Sequence, residues 1–182
     1  MGTLGEFAVY YDGSISAGEL SSRNYFSTEN MVANKGGVVD ASSVPQEGSV
    51  PECVEGCVLV SNIRPYFKKI HRVLSRGGHS NDVLCFKAKD SQYEWFLYQL
   101  LFEDAFFDHM MSGAKGTKMP RGDKRQILSY PCLLPSKADA VVFGKRVSPL
   151  CRMMAMNIEE SRKLAETRDA LLPKLMSGEL EA

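Results

Sequence analysis

Along residues 1–90 the apolar positions come in short clusters parted by Gly, Ser, Asn, Asp and Pro, a pattern that predicts strands and turns rather than helices. The predicted strands are Phe7 to Tyr11, Tyr25 to Phe26, Gly37 to Asp40, Cys57 to Ser61, Ile70 to Leu74 and Val83 to Phe86. At Ser91 the period changes. Ser91-x-x-Glu94 reads as a capping box, and Trp95, Phe96, Tyr98, Leu100, Leu101 and Phe102 follow as a mostly buried helix. Helical character continues over Glu103 to Met111, and Ser112 to Lys118 is a basic loop containing glycines. Pro120 is expected to open a short helix ending near Leu128, since proline is tolerated at a first helical position. Tyr130 to Leu134 is a further predicted strand, ended by Pro135.

Ser136-x-x-Asp139 is a second cap signal, and a helical pattern runs from it to about Leu172, with an interruption expected at Ser148-Pro149. From Leu150 onward, Leu150, Met153, Met154, Asn157, Ile158, Ser161, Leu164, Ala165, Arg168, Leu171 and Leu172 recur mainly in steps of three and four and form one stripe. Glu159, Glu160, Arg162, Lys163, Glu166 and Asp169 lie away from it. Such a helix is not stable alone in water, so the stripe needs a cover. Packing back on the preceding domain supplies one; pairing with another long helix supplies the other. Asn157 favours pairing, because a polar residue on a seam fixes register.

Composition changes little in this picture. The 182 residues are 44% apolar and 24% charged, ordinary for a globular protein. The apolar stretches, such as Phe96 to Phe102, are far too short to cross a bilayer, and the N-terminus shows no basic-then-apolar export signal. Five cysteines at irregular spacing suit reduced thiols in a cytoplasm. Charge matters more. The net charge is zero, but residues 1–57 hold eight acids and two bases, and residues 58–76 hold five bases and no acid. Residues 77–111 return to six acids and two bases, and residues 112–126 hold five bases against Asp123 alone. Two local basic blocks on a neutral chain are either an electrostatic footprint or two solvated loops.

The end of the chain, "LAETRDALLPKLMSGEL", resembles the helix that closes each half of the specificity subunit of type I restriction–modification systems. Upstream, "VSPLCRMMAMNIEESRKL" is similar to the earlier part of that helical region. "GCVLVSNIRPYFKKI", "GGHSNDVLCFK" and "GAKGTKMPRGDKRQILSYPCLLP" are similar to successive segments of its target-recognition domain, and "LGEFAVYYDG" to the opening of that domain. The resemblance implies an α+β fold: a mixed target-recognition domain over residues 1–135, with a twisted sheet and short helices. A helical spacer and dimerisation region over 136–182 then pairs as an antiparallel coiled coil. It also implies double-stranded DNA as ligand, with separate methyltransferase and restriction subunits as partners. The resembled subunits carry two recognition domains and two spacers, whereas this chain has one of each. Two readings stay open: a natural half-subunit that pairs with itself on a split palindrome, or one half of a longer protein. The stripe from Leu150 to Leu172, about 22 residues, spans roughly 33 Å, about one turn of B-DNA. Gly178 is expected to cap the helix.

Within this resemblance the recognition residues are sought among donors and acceptors on the basic loops. Lys115, Thr117, Lys118, Arg121 and Lys124 come first, and a helix opening at Pro120 would aim its amides at a phosphate. Arg64, Lys68 and Lys69 come second, with Tyr66 and Phe67 interleaved; the alternative there is a solvated turn with its aromatics tucked into the core. The turn at His79-Ser80-Asn81 is third, with ordinary turn chemistry the stronger reading. The spacer interface is expected at Leu150, Met154, Asn157, Ile158, Ser161, Leu164, Ala165, Arg168, Leu171 and Leu172. Neither G-x-G-x-x-G nor G-x-x-x-x-G-K-[ST] occurs, and Cys53-x-x-x-Cys57 with His71 and His79 does not have zinc-site spacing. The chain is therefore expected to be non-catalytic, with no cofactor and no metal, and His109 to be structural.

Overall fold

The strongest apolar clusters become strands buried on both faces. The computed structural model describes residues 1–179. In chain order the elements are β1 (Gly2–Thr3), α1 (Leu4–Phe7), β2 (Ala8–Tyr10), β3 (Ser14–Ser16), β4 (Tyr25–Phe26), β5 (Ser49–Cys53), β6 (Val58–Ser61), β7 (Ile70–Arg72), β8 (Gly77–His79) and β9 (Val83–Ala88). Then come α2 (Glu94–Phe102), α3 (Asp104–Ser112), α4 (Lys124–Leu128), β10 (Pro131–Cys132) and α5 (Lys137–Met176). The fold is α+β, and it divides into two units, Met1–Gly144 and Lys145–Ala182.

In the first unit an antiparallel sheet of order β2-β9-β6-β7 is central. Alternate residues along β6 and β9 serve two cores. Val58, Val60, Leu84 and Phe86 face a cluster completed by Leu97, Leu101, Phe106, Phe107 and Met110 of α2 and α3. Leu59, Val83 and Cys85 face a second cluster with Phe26, Met31, Cys53 and Cys57. A second sheet, β3-β5-β8-β4, supplies part of that cluster; its β4–β8 pair is parallel. This is why β6 and β9 read as continuous apolar runs rather than as alternation. A small clasp, β1 with β10, joins the first residues to the segment just before α5, and the Leu4 N–H donates to the Tyr130 carbonyl at 2.9 Å.

Several expectations shift locally. Phe7 closes the one-turn helix α1 instead of opening a strand. The expected strand at Gly37 to Asp40 is not a strand; only Val38 bridges, to Met31. Its place is taken by a buried side chain: Asn30 donates to the Tyr25 and Val39 carbonyls and accepts from the Ser27 N–H. A single amide thus satisfies backbone groups that a ladder would otherwise pair. The expected capping box at Ser91 is replaced by a 3-10 turn capped by Asp90, whose carboxylate accepts from the Gln92 N–H, and α2 begins at Glu94. The first turns of α5 belong to this unit. Ala140 is fully buried, Phe143 packs edge-on against Phe96, and a Cβ at Gly144 would stand 3.4 Å from the Trp95 ring.

In the second unit α5 runs on through Pro149 rather than breaking there. The proline removes one N–H, that to the Lys145 carbonyl, and Lys145 is exposed to water that can take its place. The helix ends as expected at Gly178, whose φ is +75°. Gly178 N–H bonds the Leu175 carbonyl and Glu179 N–H that of Lys174, the paired bonds of a Schellman cap. Leu180, the last residue of the run quoted above, lies outside the described residues.

His71 on β7 packs its ring 5.2 Å from Phe26. Burial, with the neighbouring Arg72 guanidinium, pushes its pKa down from 6.5 to about 4. The unfolded chain therefore takes up this proton near pH 6.5 and the folded chain only near pH 4. Stability should fall as the pH drops through that window, by on the order of 3 kcal/mol. His71→Gln should flatten the fall, read as the difference in urea midpoint between pH 7 and pH 4.5; an unchanged slope would assign the proton uptake elsewhere.

Candidate nucleic-acid interface

Ser61 and Val83 are the last residue pair of the β6–β9 ladder. Both loops that leave this end, residues 62–69 and 79–82, carry candidate residues, and backbone bonds join them to the second basic block. Asn62 N–H donates to the Asp82 carbonyl at 2.8 Å, and Arg64 N–H to the Pro120 carbonyl at 2.8 Å. Ile63 bridges Arg121, and Lys115 bridges Arg121 in turn through N–H···O bonds of 2.9 and 3.0 Å. Residues 62–64, Asp82 and 115–122 are thus joined side by side.

The Lys115–Arg121 bridge closes a tight loop, with Gly116 at φ +98°. Thr117, Lys118 and Met119 sit at its tip, exposed. Pro120 does not start a helix. It lies in the loop because its carbonyl is engaged by Arg64, and α4 starts four residues later. There the Asp123 carboxylate accepts from Arg125 N–H and Gln126 N–H, at 2.9 and 3.3 Å. The expected phosphate seat at a Pro120 helix is therefore absent. α4 is fixed from behind: Tyr10 Oη donates to the Lys124 carbonyl, and His109 and Gln126 exchange side-chain-to-carbonyl bonds of 2.8 Å each. That gives His109 a structural role.

Three of the cations are paired with acids, two of them brought from other segments. Arg121 pairs with Asp82 at 2.9 Å, Lys115 with Asp123 at 3.1 Å and Lys68 with Asp104 at 3.0 Å. The ammonium of Lys115, with the capped amides, holds the Asp123 carboxyl below the usual carboxylate range. Lys69 Nζ donates to the Thr28 carbonyl, and Lys124 lies over the Tyr10 ring at 5.6 Å. Lys118 and Thr117 make no polar contact among the described residues. Tyr66 and Phe67 are not tucked into the core; they are 47% and 37% exposed.

His79, by contrast, is buried. Its Nδ1 bonds the Ser80 carbonyl at 2.9 Å while Nε2 has no partner. Burial, reinforced by the Lys124 charge, lowers its pKa. It lines a cleft of about 430 Å³ with Tyr10, Asp12, Asn81 and Lys124. Sequence reasoning did not single out Asn62 and Asp82, which splice the loops; both lie in segments that carry the resemblance, but only the fold brings them together.

In the second unit the expected stripe is solvent-facing. Leu150, Met154, Asn157, Ile158, Ser161, Leu164, Arg168, Leu171 and Leu172 are exposed and Ala165 is half-buried. Leu150, Met154, Ile158 and Leu164 each keep more than 60% of their area in water.

No protein-family model matches the sequence, and no curated protein aligns with it significantly. Solved structures do. The S subunit of a type I restriction–modification system from M. genitalium superposes at a TM-score of 0.60 with 16% identity. The HsdS subunit from Thermoanaerobacter tengcongensis gives 0.57 with 17% identity. A chain from a structure of the type I R-M system, solved for its assembly and conformational transition, gives 0.58 with 18%. The chain shares its fold with these S subunits. The matches cover 96–97% of it and 45–48% of the neighbours, so it spans about half their length. In this fold residues 62–64 of the first basic block are joined to the second by backbone bonds, whereas Arg72 and Arg76 of that block pair with Glu94 and with Glu19 and Glu52.

Asp123 ties the loop to α4, which makes its two functions separable. Asp123→Ala should lower the melting temperature by removing the cap. Asp123→Asn keeps an accepting oxygen and frees only Lys115, an exposed pair of little worth, so its melt should match the parent. Equal losses in both variants would mean that the charge, not the cap, is what counts.

Proposed function

We propose that this chain is the DNA-specificity element of a type I restriction–modification system, of half-subunit size, and that it is not itself an enzyme. The observation that carries this reading is the likeness in fold to S subunits over nearly the whole chain, at half their length. The joining of the Asn62–Arg64 segment to the second basic block supports it, because a duplex needs cations for its phosphates and polar side chains for its base edges in one place. Lys115, Thr117, Lys118, Arg121, Lys124, Arg64, Lys68 and Lys69 are the contacts in this reading. Lys118 and Thr117, free at the loop tip, reach the DNA directly. Lys115, Arg121 and Lys68 exchange a carboxylate for a phosphate when they bind, and acids in that position disfavour anions that cannot compete. The chain works in the cytoplasm and brings separate methyltransferase and restriction subunits to its site.

Two copies pair through the exposed α5 stripe. An isologous pair of identical heads reads a split palindrome, with the half-site spacing set by the helix. The residues of the pairing face are those from Leu150 to Leu172 named above, with Asn157 and Arg168 as its polar seam positions.

Lys118→Ala with Arg121→Ala should weaken binding to duplex DNA and reduce the salt slope by about 2, with the thermal melt unchanged. An unchanged affinity would remove the loop from the contact surface, and binding that ignores salt would favour a protein ligand instead. Leu164→Asp with Leu171→Asp should halve the mass seen by light scattering; an unchanged mass would rule out the stripe as the interface. Co-expression with a modification subunit, followed by mapping of methylated sites, should return a bipartite palindrome.

A further inference from the structure

Among the described residues only four other than glycine have a left-handed backbone, and all four meet at one turn. Arg64 and Lys68, both at φ +50°, bracket the 3-10 turn Pro65–Phe67. Asn34 and Lys35, at φ +54° and +61°, lie against it. Asn34 N–H donates to the Phe67 carbonyl at 2.8 Å and Lys35 N–H to the Lys68 carbonyl at 2.9 Å. Arg64 N–H is held by Pro120, and the ammonium groups of Lys35 and Lys68 converge on Asp104 at 2.5 and 3.0 Å. Glycine relieves this backbone conformation at no steric cost, yet none of the four positions uses it. Strain of this kind persists where surrounding bonds over-determine a local shape, and it clusters at working sites.

The shape so fixed displays apolar surface. Tyr66 and Phe67 project from the turn with ring centroids 4.7 Å apart and planes tilted by 53°. Met119, 48% exposed, adjoins the proline that holds Arg64. Cationic residues flank them along the chain: Arg64, Lys68 and Lys69 on the same loop, and Lys118 beside Met119. Phe67 is the better held of the two, with Lys69 Nζ 5.8 Å from its ring centroid, and Tyr66 leaves nearly half of its area in water. A flat, uncharged ring on a rigid stalk among cations has the chemistry to enter a base step while its neighbours engage phosphates.

We propose that Tyr66 inserts between base pairs of duplex DNA, backed by Phe67, and that the strained turn exists to hold it there. The inference rests on the DNA reading above. The rigid turn has already met the ordering cost that a flexible loop would incur on binding.

The test uses the full chain and a duplex enriched by it from a random-sequence pool, with 2-aminopurine placed at successive positions. Emission should rise severalfold at one step. Tyr66→Ala should abolish that rise and weaken binding about ten-fold with the salt slope unchanged. Tyr66→Trp should keep the affinity, and its added emission should be quenched by DNA above the Trp95 background. Lys118→Ala with Arg121→Ala should lower affinity and slope yet keep the rise at saturation. The aminopurine scan and the Trp quench decide the matter even if Tyr66→Ala melts early. Steep salt-dependent binding with 2-aminopurine dark at every position, or with Tyr66→Trp unquenched, overturns insertion and leaves the DNA reading standing. Absence of salt-dependent binding overturns both.

Discussion

Two strands buried on both sides set the terms for the rest of the first unit. β6 and β9 send alternate side chains into separate cores, so neither can slip by a residue without exchanging the two sets. That rigidity ends at the Ser61–Val83 pair. Whatever the loops beyond it present is anchored to the least movable part of the molecule. The helices α2 and α3 press one face, and α3 also supplies Asp104, the acid that receives two lysines from the loops. Packing and electrostatics are thus coupled through one short helix.

The basic surface is built mainly from backbone bonds. Amide-to-carbonyl links at Asn62, Arg64, Lys115 and Arg121 hold it together, and the side chains are left to be exposed or paired with acids. A surface organised this way keeps its shape when its charges are exchanged, because the ion pairs are exposed and individually weak. Shape and charge are therefore separate variables here, and the charged side chains can change without loss of fold.

How much of this the sequence disclosed depends on the range of the interaction. β6 and β9 were legible because burial on both faces leaves a continuous apolar run. The α5 helix was legible because helical spacing is local, and so was the Gly178 cap. Gly37 to Asp40 was misread because a buried Asn30 amide, remote from any pattern, pairs the backbone a strand would have paired. Pro120 was misread because Arg64, far away in the chain, captures its carbonyl. Pro149 was overrated as a breaker, since a long helix survives the loss of one bond. Both basic blocks were legible as charge. Their joining was not, because no local pattern says that the backbone of Asn62, Ile63 and Arg64 meets residues 120–122. The left-handed turn was hidden for a related reason: Arg, Lys and Asn occupy positions where glycine would have announced it.

The clasp of Gly2–Thr3 with Pro131–Cys132 has a consequence for how such molecules can be assembled. Because the chain enters the head beside the place where it leaves, the head is a closed cassette. A second cassette can be strung in line, or one exchanged for another of different preference, without threading a strand through an existing core.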